Sequence, residues 1–71
     1  MMIEEGDPVF VTDASEMGAY NIEEGDKGWA SSVINLPDGQ KIVFFVPDDI
    51  RAAYVIDASR LEVDEERKEQ L

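Results

Sequence analysis

The sequence predicts a small all-β domain, a barrel or sandwich of short strands, and three observations carry that expectation. β-branched and aromatic residues gather in short runs, such as Val9-Phe10-Val11 and Ile42-Val43-Phe44-Phe45-Val46. Turn formers separate those runs at regular spacing, most plainly Gly25-Asp26-Lys27-Gly28 and Pro37-Asp38-Gly39. With 71 residues the chain has room for one domain and one small core.

Met1 to Gly6 is polar and expected to fray. Asp7 to Thr12 reads as the first strand, with Pro8 tolerated at its start and Val9 and Val11 on one face. Asp13 to Glu24 keeps no period and reads as a long loop, which either presents a contact surface or folds Met17, Tyr20 and Ile22 back as a lid over one end of the core. Gly25 and Gly28 suit a tight turn because each can take φ > 0 without steric cost, and Asp26 can bond its own backbone.

Trp29 to Asn35 is the second strand. Its alternation fails on both faces, which points to a bulge near Ser31-Ser32 that switches them. Leu36-Pro37-Asp38-Gly39 is a hairpin turn. Lys41 to Val46 then runs antiparallel to the second strand, and being apolar on both faces it is expected at the centre of the sheet. Pro47 to Arg51 interrupts as a loop. Ala52 to Ile56 is a fourth strand, Asp57 to Arg60 a tight turn, and Leu61 to Val63 a fifth, short strand. Asp64 to Leu71 is a charged tail; it has no apolar packing face, so it is expected to stay flexible rather than hold a helix. No internal repeat or second domain is read from the chain.

The chain contains no cysteine and no histidine, which excludes disulfides and thiolate or imidazole zinc sites. Stabilisation through a partner chain, as a homo-oligomer or against a larger protein, gains weight accordingly. Its start shows neither a basic nor an apolar signal region. The longest uncharged run, Gly28 to Pro37, is 10 residues, too short for a bilayer. A cytoplasmic protein without membrane attachment is expected.

Formal net charge is −11, from 17 acidic and 6 basic side chains. Such a surface repels a phosphate backbone and offers few cations for counterion release, so direct nucleic-acid binding is not expected. The acidity reads as solubility or adaptation to salt, as attraction to a basic partner, or as mimicry of nucleic acid.

Candidate chemistry is sparse. General-base and nucleophilic catalysis draw mostly on His, Cys or a metal. The carboxylate pairs Glu4/Glu5, Glu23/Glu24, Asp48/Asp49 and Glu65/Glu66 are sequence neighbours, which strands point to opposite faces and loops leave solvated. Asp48-Asp49 is followed by Ile50-Arg51-Ala52-Ala53, without the alternating oxygen ligands of a calcium loop. No catalytic residue, metal site or cofactor is therefore expected. The aromatic candidates for binding are Tyr20, Trp29 and Tyr54, lining a groove between the long loop and the hairpin, with Tyr54 pointing outward if Val55 and Leu61 face the core. Acidic candidates for the rim are Glu23, Glu24, Asp26, Asp48 and Asp49, suited to a basic or amphipathic protein segment.

Ile22-Glu23-Glu24-Gly25-Asp26-Lys27-Gly28 resembles the opening of the second strand in KOW-type and related SH3-like barrels. Pro37-Asp38-Gly39 and Ala58-Ser59-Arg60-Leu61-Glu62-Val63 match the turn and the closing element of that pattern. The likeness runs from about Asp7 to Val63 and implies a five-stranded SH3-like barrel over residues 7–63. Nucleic-acid-binding members are basic in this region, whereas this chain is acidic, and Trp29 and Ala30 depart from the pattern. The reading is of a non-enzymatic protein–protein interaction module, a small acidic regulator or accessory subunit. The alternative is an acidic mimic of nucleic acid that antagonises a DNA- or RNA-binding protein.

Overall fold

The computed structural model describes residues 2–15, 21–49 and 52–71. Five strands form one antiparallel sheet: β1 (Pro8–Val11), β2 (Lys27–Asn35), β3 (Lys41–Pro47), β4 (Tyr54–Asp57) and β5 (Leu61–Val63), in the order β4-β3-β2-β1-β5. A 3-10 turn, Ala58–Arg60, links the last two strands, and a helix, α1 (Glu65–Glu69), follows β5. No helix among the described residues is long and apolar enough to cross a membrane.

The pairing of β1 with β2 has a local two-fold character that the sequence announces. Ile3-Glu4-Glu5-Gly6-Asp7 and Ile22-Glu23-Glu24-Gly25-Asp26 are the same pentapeptide, contrary to the expectation of no repeat. Each copy makes the same turn. Gly6 and Gly25 sit at φ 91° and 93°, and each turn is closed by a bond from the Asp N–H to the Glu carbonyl, 3.1 Å in both. The Asp carboxylate accepts from the N–H of Glu4 at 3.0 Å in one copy and of Glu23 at 2.9 Å in the other. Each glycine N–H then reaches across to the end of the other unit, Gly6 to Ala30 O and Gly25 to Val11 O, both at 2.7 Å. The return bonds, Ala30 N–H to Asp7 O and Val11 N–H to Asp26 O, are both 2.9 Å. Val9 pairs with Gly28 at the centre of this arrangement.

Two expectations change as a result. Residues 2–6 are tied down rather than frayed, because Ile3 enters the core at 5% exposure just as Ile22 does at 3%. Gly28 is not a left-handed turn residue; only Gly25 of that pair has positive φ. Gly28 lies inside β2, where a Cβ would stand 2.3 Å from Val46 O and 2.8 Å from the Phe45 ring. Close packing against β3 accounts for this glycine.

The bulge lies where the failed alternation put it. Register between β2 and β3 shifts between Ala30 and Ser32, which leaves Ser31 as the extra residue. Ala30 opposes Phe45 before it and Val33 opposes Val43 after it, so core-facing residues are even-numbered on one side and odd-numbered on the other. The Ser31 hydroxyl donates to Phe44 O at 3.0 Å. β3 is interior to the sheet, as its two apolar faces predict.

The core comprises Ile3, Val9, Val11, Ile22, Ala30, Val43, Phe45, Ile56, Leu61 and Val63. Phe45 is fully buried, and a side chain of this kind contributes roughly 1.5–3 kcal/mol on burial.

The tail also departs from expectation. α1 forms because Asp64 caps it, its carboxylate accepting from Arg67 N–H at 3.2 Å and its carbonyl from Lys68 N–H at 2.9 Å. Glu65 and Glu66 occupy the first turn and Arg67 and Lys68 the last, which suits the helix dipole. None of the helix residues is buried. Docking comes instead from its cations: Lys68 Nζ lies 3.3 Å from Asp7 Oδ1, and Arg67 reaches Asp48 and Trp29. The expectation of a flexible tail weighed apolar packing and omitted polar anchoring.

Candidate binding surface

Strand register places two sets of side chains on opposite faces of the sheet. The core face carries Ala30, Val33, Val43, Phe45 and Ile56. The outer face is built from three rows: Pro8, Trp29 and Val46; Ser32, Phe44 and Val55; Ile34, Ile42 and Asp57. Along β3, Ile42 to Val46 spans about 13 Å. Val55 is 66% exposed and Ile34 43%, Trp29, Ile42, Phe44 and Val46 are half-buried, and Pro8 is fully buried. The outer face is thus an apolar strip that ends at Asp57 on one side and approaches Asp48 on the other.

Trp29 and Tyr54 do not come together. Trp29 belongs to the outer face. Tyr54 opposes Phe45 and packs against the core, so the expectation that Val55 faces inward and Tyr54 outward is reversed. The reason is register: Ile56 opposes the buried Val43, and alternation then turns Val55 to the other side. Tyr20 lies outside the described residues.

Among the acidic candidates, Asp26, Asp48 and Asp49 line one depression of about 250 Å³ with Lys27 and Pro47. Glu23 and Glu24 are exposed on the second pentapeptide turn. A neighbouring depression of about 290 Å³ is lined by Lys27, Asp48, Asp64, Glu66, Arg67 and Gln70. Lys27 and Asp48 are common to both. Asp64 is buried; one of its oxygens caps α1, and the other has no hydrogen bond but faces Lys27 Nζ at 3.8 Å.

Many aspartates are spent on backbone geometry. Asp7, Asp13, Asp26, Asp38, Asp57 and Asp64 each accept a bond from a main-chain N–H two or three residues away. The carboxyl of Asp57 is held below its ordinary value by the Gln40 side-chain amide and by Ser59, and that of Asp13 by the hydroxyl and N–H of Ser15. Part of the negative charge therefore shapes turns, while the glutamates among the described residues are exposed.

Arg67 ties these features together. Its guanidinium carbon stands 4.4 Å from the Trp29 ring centroid, and Nη1 donates to both Asp48 oxygens at 2.9 and 3.1 Å. Sequence reasoning missed Arg67, along with Ile34, Ile42, Phe44 and Val55. The apolar residues had a readable signal, since β3 is apolar on both faces and only one can enter a small core. Arg67 had none.

No family model, no curated protein and no solved structure matches this chain.

Proposed function

We propose that this protein is a non-enzymatic binding module that takes a basic, amphipathic protein segment on the outer face of β2, β3 and β4. An SH3-like barrel is the fold we assign to it. That assignment is supported by the long β2, which pairs with both β1 and β3 and is bent by a bulge, a device that curls a sheet toward closure. The function rests on one observation: Val55 and Ile34 are exposed on an apolar face of a chain whose net charge is −11. Charge selects the occupant. Two copies at −11 repel one another, whereas a cationic segment with apolar side chains is drawn to the rim and buries against the strip. A small acidic regulator or accessory subunit fits this behaviour.

The test is a titration with a synthetic peptide of alternating lysine and leucine, followed by NMR and compared with polylysine. Expected are shifts at Ile34, Ile42, Phe44 and Val55, and loss of binding in Val55→Asp, whose exposed position leaves folding intact. Equal binding of polylysine, abolished as salt rises from about 0.05 to about 0.5 M, overturns the face in favour of phosphate mimicry. Concentration-dependent dimerisation lost in Val55→Asp assigns the face to a second copy instead.

A further inference from the structure

The contact made by Arg67 has the composition of a recognition site. An aromatic face and a carboxylate are the two groups that hold a guanidinium, one by cation–π attraction and the other by charge-assisted hydrogen bonds. Both come from the sheet. Trp29 lies in β2 opposite Val46, and Asp48 follows β3 directly, anchored by its own N–H donating to Lys27 O at 3.1 Å. Their occupant sits on α1, which has five residues, none buried, and is held by the Asp64 cap and by Lys68 Nζ at 3.3 Å from Asp7 Oδ1 rather than by an apolar face.

We propose that Trp29 and Asp48 form a receptor for an arginine side chain, and that Arg67 fills it in the isolated chain until an arginine of a basic partner displaces it. This rests on the binding face proposed above and extends it at one end. Val46 stands beside Trp29, and Phe44 and Val55 follow on the same face, so a segment presenting one arginine beside apolar residues fills both parts. Access is open, because the Arg67 side chain is 30% exposed and that of Asp48 48%. The depression lined by Asp48, Glu66 and Gln70 adjoins the contact. Lysine is a poorer occupant, since its ammonium lacks the planar group that lies flat on an indole.

The experiment uses the full chain and the lysine–leucine peptide with one central arginine, alongside versions carrying lysine or citrulline there. Trp29 is the only tryptophan, so its emission reports occupancy directly. Removing the internal ligand in Arg67→Ala should tighten the arginine peptide by about fivefold, and Arg67→Gln should do the same. Asp48→Asn releases Arg67 as it damages the receptor, so it is read in the Arg67→Ala background, where it should weaken the peptide by about fivefold. Citrulline should forfeit the gain. Amide spectra over Val43 and Phe45 check that each variant keeps its core. If Arg67 and Asp48 variants shift affinity in the same direction, or Arg67→Ala leaves it unchanged, the contact merely pins the helix and the receptor is refuted. Binding that is lost in Val55→Asp yet indifferent to Arg67 and citrulline sinks the receptor alone. No binding to any variant sinks the underlying face as well.

Discussion

Val9 and Gly28 face one another at the centre of the β1–β2 pair, and they occupy equivalent positions in the two pentapeptide-led units, yet only one can carry a side chain. On the Gly28 side, β3 closes to within 2.3 Å of where a Cβ would stand. On the Val9 side, β5 pairs through Val63 and leaves room for a valine that the core buries completely. Duplication of a turn therefore stops where the neighbouring strands differ.

Gly28→Ala is expected to cost roughly 2–4 kcal/mol, because backbone and a buried ring must give way together. Gly6→Ala and Gly25→Ala meet nothing within 4 Å and carry only the left-handed backbone penalty. Each should cost about 1–2 kcal/mol, and the two should match. Urea unfolding of the three variants checks this. Unequal costs for Gly6 and Gly25 would contradict the equivalence of the turns.

Opposite faces of the sheet should answer mutation differently. Phe45→Ala removes the largest fully buried side chain among the described residues and is expected to cost about 3–5 kcal/mol, enough to unfold much of a domain this small. Val55→Ala, on the exposed face, should stay within about 0.5 kcal/mol. Thermal melts compare them.

The Arg67 contact should matter little to global stability. A cation–π pair and an exposed ion pair together contribute about 1 kcal/mol, less in salt. Arg67→Ala should shift the melting temperature by only a few degrees while changing Trp29 emission. A collapse of the fold in that variant would mean that α1 carries far more than its contacts show.

Acid should weaken the turns that Asp13 and Asp57 hold. Both carboxyls lie below the ordinary 3.8 in the folded chain, so the stability each supplies is complete above that value and disappears as pH falls through the folded pKa. Asp57→Ala should be less stable than the parent at pH 7, with a gap that narrows as pH falls below about 4. Urea midpoints across that range measure it. A gap independent of pH would show that the Ser59 N–H bonds the acid and the anion alike.

Much of the architecture is legible in the residues. The strands around Val9, Val43, Ile56 and Leu61, the hairpin at Pro37-Asp38-Gly39 and the bulge at Ser31 all follow from local periodicity and turn chemistry, which act over a few neighbouring residues. The repeat of Ile-Glu-Glu-Gly-Asp was equally open to reading, though its meaning was not: identical turns become a two-fold only when Gly6 reaches Ala30 and Gly25 reaches Val11.

What local chemistry left undecided were relations across the fold. Whether Tyr54 or Val55 turned inward depended on which residue met Val43 across β3, and adjacent positions in a strand are separated by register alone. The docking of the last residues depended on an arginine finding an indole and a carboxylate far away in sequence, a contact that no spacing within the tail encodes. Composition determined that the chain is acidic and lacks cysteine and histidine. Tertiary structure decided which carboxylates shape turns, which apolar residues stay in view, and that a cation of the chain itself lies on Trp29, because each is settled by distance in space rather than by order along the backbone.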